Sequence, residues 1–236
     1  MACNTTEPTS NAEIDPSSAN DIPTAASSAR RSSLQQQDLA AAFALQPHER
    51  QLRIDGGASK LLFYTYRGGR LARFGHNHVI AARSVVGVVD LTEAVVGTRF
   101  ALQVPVSGLS VDEAPLRAAA GADFESKPST EDITATRANM LSAAGLAALQ
   151  YPQVLVTGVV VEGGAERAEI DVKLSIRGIS QTVRSPVTFT HRDGQLRITG
   201  QLEIKQSDYG MTPFSVMLGA LTVLDAVRVE FDLLAR

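Results

Sequence analysis

Residues 168–176 read AEIDVKLSI, and the two faces of this stretch separate completely. Ala168, Ile170, Val172, Leu174 and Ile176 fall on one side, and Glu169, Asp171, Lys173 and Ser175 on the other. A period of two is the mark of a β-strand with one face buried and one wet. The same alternation runs through 195–204 (QLRITGQLEI), where Leu196, Ile198, Leu202 and Ile204 share a face. In 226–234 (AVRVEFDLL), Val227, Val229, Phe231 and Leu233 oppose Arg228, Glu230 and Asp232. Upstream it recurs in LLFYTY (61–66) and in FALQVPV (100–106), where Phe100, Leu102, Val104 and Val106 lie together. Strands patterned in this way belong to antiparallel sheets.

Counting such segments predicts eight strands, near 60–67, 77–91, 98–110, 154–162, 167–177, 182–190, 195–205 and 223–234. Glu162-Gly163-Gly164 and Arg192-Asp193-Gly194 have the composition of hairpin turns, so 154–205 reads as a four-stranded meander. One insertion, 111–153, loses the alternation and reads as helical. Ser129 followed by Asp132 is an N-terminal cap signal, and Tyr151-Pro152 closes the insertion. A second short helix is expected over Thr212–Leu218, with Pro213 near its start. Eight strands with a continuous apolar face leave long bare edges unless the sheet closes. The expected fold is therefore all-β, a closed antiparallel eight-stranded β-barrel with a small helical insertion. Alternation alone leaves open whether its interior is packed or hollow.

Composition excludes several functions. The chain has 236 residues, 22 basic and 25 acidic, with a formal net charge of -3, so it has no basic excess to match a phosphate backbone, and nucleic acid is not expected. The only cysteine is Cys3, which removes disulfide frameworks and thiolate metal clusters. No run approaches the eighteen apolar residues that would suggest a transmembrane segment. Residues 1–33 are Ser, Thr, Asn, Pro and Ala with scattered charges and read as a disordered polar tail. Residues 34–49 read as a linker or short helix (Leu34–Gln46, stopped by Pro47), and 50–236 as the globular domain. The chain as written shows no signal peptide, which points to the cytoplasm. Met1-Ala2-Cys3-Asn4 before a polar run also suits a mature lipoprotein, periplasmic or lipid-anchored through Cys3, if a signal precedes it.

Beyond about Arg50 the chain resembles the YceI-like family of bacterial lipocalin-like barrels. The resemblance rests on the order of RIDGGASKLLFYTYRGG (53–69), FGHNHVIAARSVVGVVDL (74–91), SVDEAPLR (110–117), DITATRANMLSAAGLAALQYPQV (132–154), LSIRGISQTVRSPVTF (174–189) and SDYGM (207–211). It implies an elongated barrel around an apolar pocket that binds polyisoprenoid or related lipid chains.

The expected function is that of a non-catalytic carrier holding an isoprenoid, quinone-like or fatty-acyl chain, with no cofactor other than such a lipid. The expected wall is Phe63, Phe100, Leu102, Val104, Leu174, Ile176, Phe189, Leu202, Ile204, Val229 and Phe231, with Phe214 and Met217 either capping the pocket or belonging to the core. His76, His78 and Tyr209 are the polar candidates for a ligand's head group. In a strand, His76 and His78 share a face and can chelate a metal given a third ligand, or simply bond backbone at a bent strand entry. A metal-dependent enzyme centred on this pair is therefore one alternative, and a barrel filled by its own side chains, acting as an interaction module, is another. Arg67, Arg70 and Arg73 around Gly68-Gly69 read either as a head-group attractor or as a solvated turn. A homodimer through 111–153 is compatible with the pattern. Neither a G-x-S-x-G elbow nor a dinucleotide fingerprint occurs.

Overall fold

The computed structural model of the chain describes residues 50–236. The polar tail, Cys3 and the helix expected over 34–46 lie outside the described residues. The strands are β1 (Gln51–Arg53), β2 (Lys60–Gly68), β3 (His78–Ala82), β4 (Val86–Asp90), β5 (Arg99–Pro105), β6 (Leu109–Val111), β7 (Gln153–Gly163), β8 (Arg167–Ile176), β9 (Ile179–Arg192), β10 (Gln195–Lys205), β11 (Ser215–Val216) and β12 (Leu221–Ala235). Helices α1 (Ala114–Ala119) and α2 (Thr130–Leu141) stand in the insertion between β6 and β7.

All described strands join one sheet in the order β1-β4-β5-β7-β8-β9-β10-β12-β2-β3-β6, with β11 added beside β12. Every ladder is antiparallel, and the sheet curls over its main apolar face, while a smaller apolar cluster of Tyr64, Val79 and Phe124 packs on the other side of β2 and β3. At the β1 end, Ile54 bridges Ala235, and Arg53 and Arg236 exchange two N–H···O bonds of 2.8 Å each. β8 shows how the sequence dictates the face. Its alternate residues Ala168 to Ile176 are 3–6% exposed, while Asp171 on the outer face takes a bidentate bond from Arg184 at 2.7 and 3.0 Å.

The ladders differ from the expected eight strands in two ways. The segments expected at 77–91 and 98–110 each occur as two strands, β3 with β4 and β5 with β6. Pro105, which has no N–H to donate, precedes the 3₁₀ turn Val106–Gly108 that separates β5 from β6. β1 and β11 are additional. A turn in which the Asp55 side chain accepts from the Gly57 N–H at 3.1 Å separates β1 from β2. The helix expected over Thr212–Leu218 is absent. Ser215 and Val216 instead pair with Thr222 and Leu221, because a hairpin onto β12 satisfies backbone that one isolated helical turn would leave unpaired. The turns after β8 and β9 are hairpin turns with two successive left-handed residues, Arg177-Gly178 (φ 53° and 74°) and Asp193-Gly194 (φ 52° and 75°).

Two glycines shape the concave face. Gly158 is registered with Phe100, and Gly200 with Phe231. A Cβ at Gly158 would fall 2.1 Å from Phe100 Cζ, and one at Gly200 would fall 2.5 Å from Phe231 Cζ. Each ring thus lies across the wall in the space a neighbouring side chain would fill. Gly158→Ala should therefore drive Phe100 off its seat and cost about 1–3 kcal/mol, the usual penalty for overpacking. Urea unfolding would measure it, and an unchanged midpoint would show that the ring does not depend on the glycine.

Candidate functional site: an apolar cavity with histidines at one end

Behind the concave face lies a cavity of about 900 Å³. Its middle is lined by aliphatic residues at alternate positions of successive strands, among them Leu102, Val156, Val172, Leu174, Leu202 and Val229. Polar lining residues gather at the two ends. At one end, under the insertion, stand His76, His78, Asp132, Thr136 and Asn139, and at the other Thr92, Glu93, Thr98 and His191. This distribution suits a long apolar guest with a polar terminus.

The structure places Phe63, Phe100, Leu102, Val104, Leu174, Ile176, Phe189, Leu202, Ile204, Phe214, Val229 and Phe231 in the cavity lining, together with His76 and His78. Two expected residues lie elsewhere. Met217 is 71% exposed, because its left-handed backbone (φ 51°) turns the loop outwards. Tyr209 ends a 3₁₀ turn that folds its ring into the core, outside the lining, where it is 1% exposed and its hydroxyl has no partner. Burial raises that hydroxyl's pKa.

His78 belongs to a buried ionic network. Its Nδ1 bonds Asp112 Oδ2 at 2.6 Å, and Asp112 Oδ1 accepts from the Val79 N–H at 2.9 Å and from Arg117 at 2.6 Å. Arg117 also donates to Asn77 O at 2.6 Å and to Ser126 O at 2.7 Å, so one guanidinium ties β3 to the insertion. Burial acts to raise the Asp112 carboxyl. The bonds from His78 and Val79 outweigh it and hold the group below the ordinary carboxylate range. Asn77 completes the anchor, accepting from the Arg67 N–H at 2.9 Å and donating to Asp123 O at 2.8 Å. The Gly-His-Asn-His run therefore alternates cavity-facing imidazoles with an inter-segment bolt.

His76 Nδ1 lies 3.1 Å from Ser126 Oγ, which also accepts from Arg117 at 3.1 Å. Its Nε2 is 3.8 Å from Asp132, and the two imidazole centroids are 6.3 Å apart. Desolvation lowers the His76 pKa, and the nearby Asp132 only partly opposes it. No group of three His, Cys, Asp or Glu among the described residues is arranged to hold a metal, and His78 Nδ1 is already committed to Asp112. Sequence reasoning missed Asp112, Arg117 and Ser126, and also Thr136, Asn139 and Met140 of α2, which cover the cavity end. α2 itself starts from a reciprocal capping box between Ser129 and Asp132, as its cap signal suggests. The one legible hint to the network was an acid at the end of an apolar strand, with an arginine one helical turn beyond it.

Two groups link acidification to stability in the same direction. His76 has a folded pKa below its ordinary 6.5, so the unfolded chain binds the proton first. Stability should fall as pH drops from about 6.5 through the folded value of His76, and again below 3.8 as Asp112 is forced to protonate. Asp112→Asn would leave Arg117 buried without its counter-ion and should cost about 3–5 kcal/mol. Asn tolerates the left-handed backbone at this position (φ 53°), so strain would not explain the loss. Chemical denaturation at pH 7 measures the effect, and a loss under 1 kcal/mol (roughly a neutral hydrogen bond) would mean that the network is not ionic.

The YceI-like domain family matches residues 54–235. Among solved structures, Burkholderia cenocepacia BcnA is similar with a TM-score of 0.58 at 18% identity, covering 78% of this chain and 99% of its own. A polyisoprenoid binding domain from Saccharophagus degradans is similar with a TM-score of 0.53 at 14% identity, covering 78% of this chain and 97% of its own. At such identities the likeness concerns the fold. No curated protein matches the chain in sequence. Among the described residues no helix is long and apolar enough to cross a membrane. With the matched family spanning nearly the whole described sheet, the chain belongs to the YceI-like domain family.

Proposed function

We propose that this protein is a non-catalytic lipid carrier, whose curled sheet closes as a barrel of eight strand lines around one linear isoprenoid chain. The observation that carries this reading is the cavity of about 900 Å³, apolar along its middle and polar only at its ends. Closure is supported by the exchange of bonds between Arg53 and Arg236 beside the Ile54–Ala235 bridge. In that ring, β1 with β2, β3 with β4 and β5 with β6 each count as one line. The polyisoprenoid-binding description of the Saccharophagus degradans neighbour points the same way. Burying a methylene contributes about 0.8 kcal/mol, so one five-carbon isoprene unit contributes about 4 kcal/mol, and a few units suffice for tight binding without any ionic contact.

The head group sits between His76 and His78. Ionised Asp112 accepts a hydrogen bond from His78 Nδ1–H, which leaves Nε2 as an acceptor. Ser126 Oγ accepts from Arg117 and donates its own O–H to His76 Nδ1, leaving His76 Nε2–H as a donor. A donor beside an acceptor suits a hydroxyl, which needs one of each, better than a quinone carbonyl, which only accepts. The His78 Nε2 to Thr136 Oγ1 separation of 3.5 Å is long for the activation of a nucleophile, which favours binding over catalysis.

Affinities for geranylgeraniol, for the matching hydrocarbon and for a quinone with the same tail test both parts. His78→Ala should weaken the alcohol about tenfold, the loss of one hydrogen bond, and leave the hydrocarbon unchanged. Leu174→Asp should abolish binding of all three in protein that circular dichroism shows to be folded. Equal weakening of alcohol and hydrocarbon by His78→Ala would remove the head group from this end. Undiminished binding by folded Leu174→Asp would remove the chain from the cavity.

A further inference from the structure

The 69–75 turn and the 214–221 loop lie side by side where the cavity meets the surface. Leu71 N–H donates to Ala220 O at 2.7 Å, and Phe74, Gly75, Phe214 and Leu221 all line the cavity. The outward side of this junction is apolar. Phe74 is 64% exposed, Met217 71%, Leu218 108% and Phe214 43%. Scattered exposed hydrophobics need no explanation, but a contiguous set at a cavity opening does.

The backbone strengthens the point. Met217 (φ 51°), Leu218 (φ 55°) and Gly219 (φ 84°) are successive left-handed residues. Only glycine adopts this conformation without cost, so a methionine and a leucine here are held against local preference with their side chains in water. The turn they make lets β11 pair with β12, but that pairing does not require apolar side chains at 217 and 218, which stay in water. Charge adds a third observation. Residues 67–78 contain Arg67, Arg70 and Arg73 and no carboxylate, and residues 209–224 contain none either. Among the described residues, Arg70 and Arg73 form no ion pair, and the Arg73 guanidinium lies 4.7 Å from the Phe74 ring centroid. The whole chain carries a net charge of -3, so this positive rim runs against its general character.

We propose that this rim docks on an anionic lipid bilayer. Phe74, Phe214, Met217 and Leu218 enter the boundary of the acyl chains, while Arg70 and Arg73 meet the lipid headgroups. An amphipathic rim of this kind attaches reversibly, because each part alone is weak. Exchange of a lipid guest through the opening is a consequence that rests on the carrier reading. Attachment itself does not, since it is read without any guest.

The test is flotation of the full chain with vesicles of phosphatidylcholine and phosphatidylglycerol in equal parts, and with vesicles of phosphatidylcholine alone. The chain should float with the mixed vesicles and far less with the neutral ones. Arg70→Gln with Arg73→Gln should weaken attachment about 25-fold, roughly fivefold per charge. Met217→Asn with Leu218→Asn should also reduce attachment, with an unchanged or higher melting temperature, because Asn suits the left-handed positions. A wild-type chain that stays off the mixed vesicles would overturn the proposal. So would equal binding to neutral vesicles, variants that attach like the wild type, or a lower melting temperature in the Asn pair, which would mark those side chains as packed.

Discussion

The fold depends on a mismatch between the surface its strands present and the volume their side chains can fill. Alternation places one aliphatic residue in two on the concave face, and backbone hydrogen bonding fixes how far that face curls. Closing over such a face with large side chains would give a solid core. Here the wall is built mainly from Val, Ile, Leu and Ala, in a chain with no tryptophan and only 5% aromatic residues. Phe100 and Phe231 lie over Gly158 and Gly200, where each ring uses the space of a missing Cβ. The cavity of about 900 Å³ follows from those choices of size.

The second constraint sits at one end of that cavity. The insertion carrying α1 and α2 is held partly by apolar contact, since Phe124 is buried edge-on against Tyr64 and Tyr66 of β2, while α2 has no fully buried residue. Polar anchors fix its position as well. Arg117 joins Asp112, Asn77 and Ser126, and Arg137 of α2 donates to Ser107 O at 3.0 Å. A buried ion pair of this sort adds little net stability compared with well-packed apolar groups, but it fixes geometry because breaking it strands a charge. That geometry orients His78 through Nδ1 and leaves the opposite nitrogen facing the cavity. Orientation of His78 and attachment of the cover are therefore the work of the same few residues.

How much of this was legible follows the range of the interactions involved. The strands and the direction of their side chains could be read because period two is local: Leu174 and Leu202 face the cavity for the reason visible in their own neighbours. Breaks in the strands were not legible, since they depend on the Asp55 turn and on Pro105 meeting a particular register. The short helix expected at Thr212–Leu218 failed because Pro213 permits a helix start, whereas pairing of Ser215 with Thr222 is set by β12. Asp112, Arg117 and Ser126 went unassigned for a similar reason. Their value comes from meeting His76, Asn77 and His78, which lie 34 or more positions away from each of them, and no periodicity in the insertion announces that. Tyr209 was misplaced because a turn residue's direction depends on how the turn folds back.

The central claim is that the cavity holds a lipid, and native mass spectrometry of the full chain purified without detergent tests it most directly. Organic extraction of the same sample identifies what is released. The account expects a one-to-one adduct whose mass matches a prenyl chain ending in a hydroxyl, retained by the wild type and absent from folded Leu174→Asp. Protein that carries no adduct and takes up neither prenols nor quinones when they are added would contradict it.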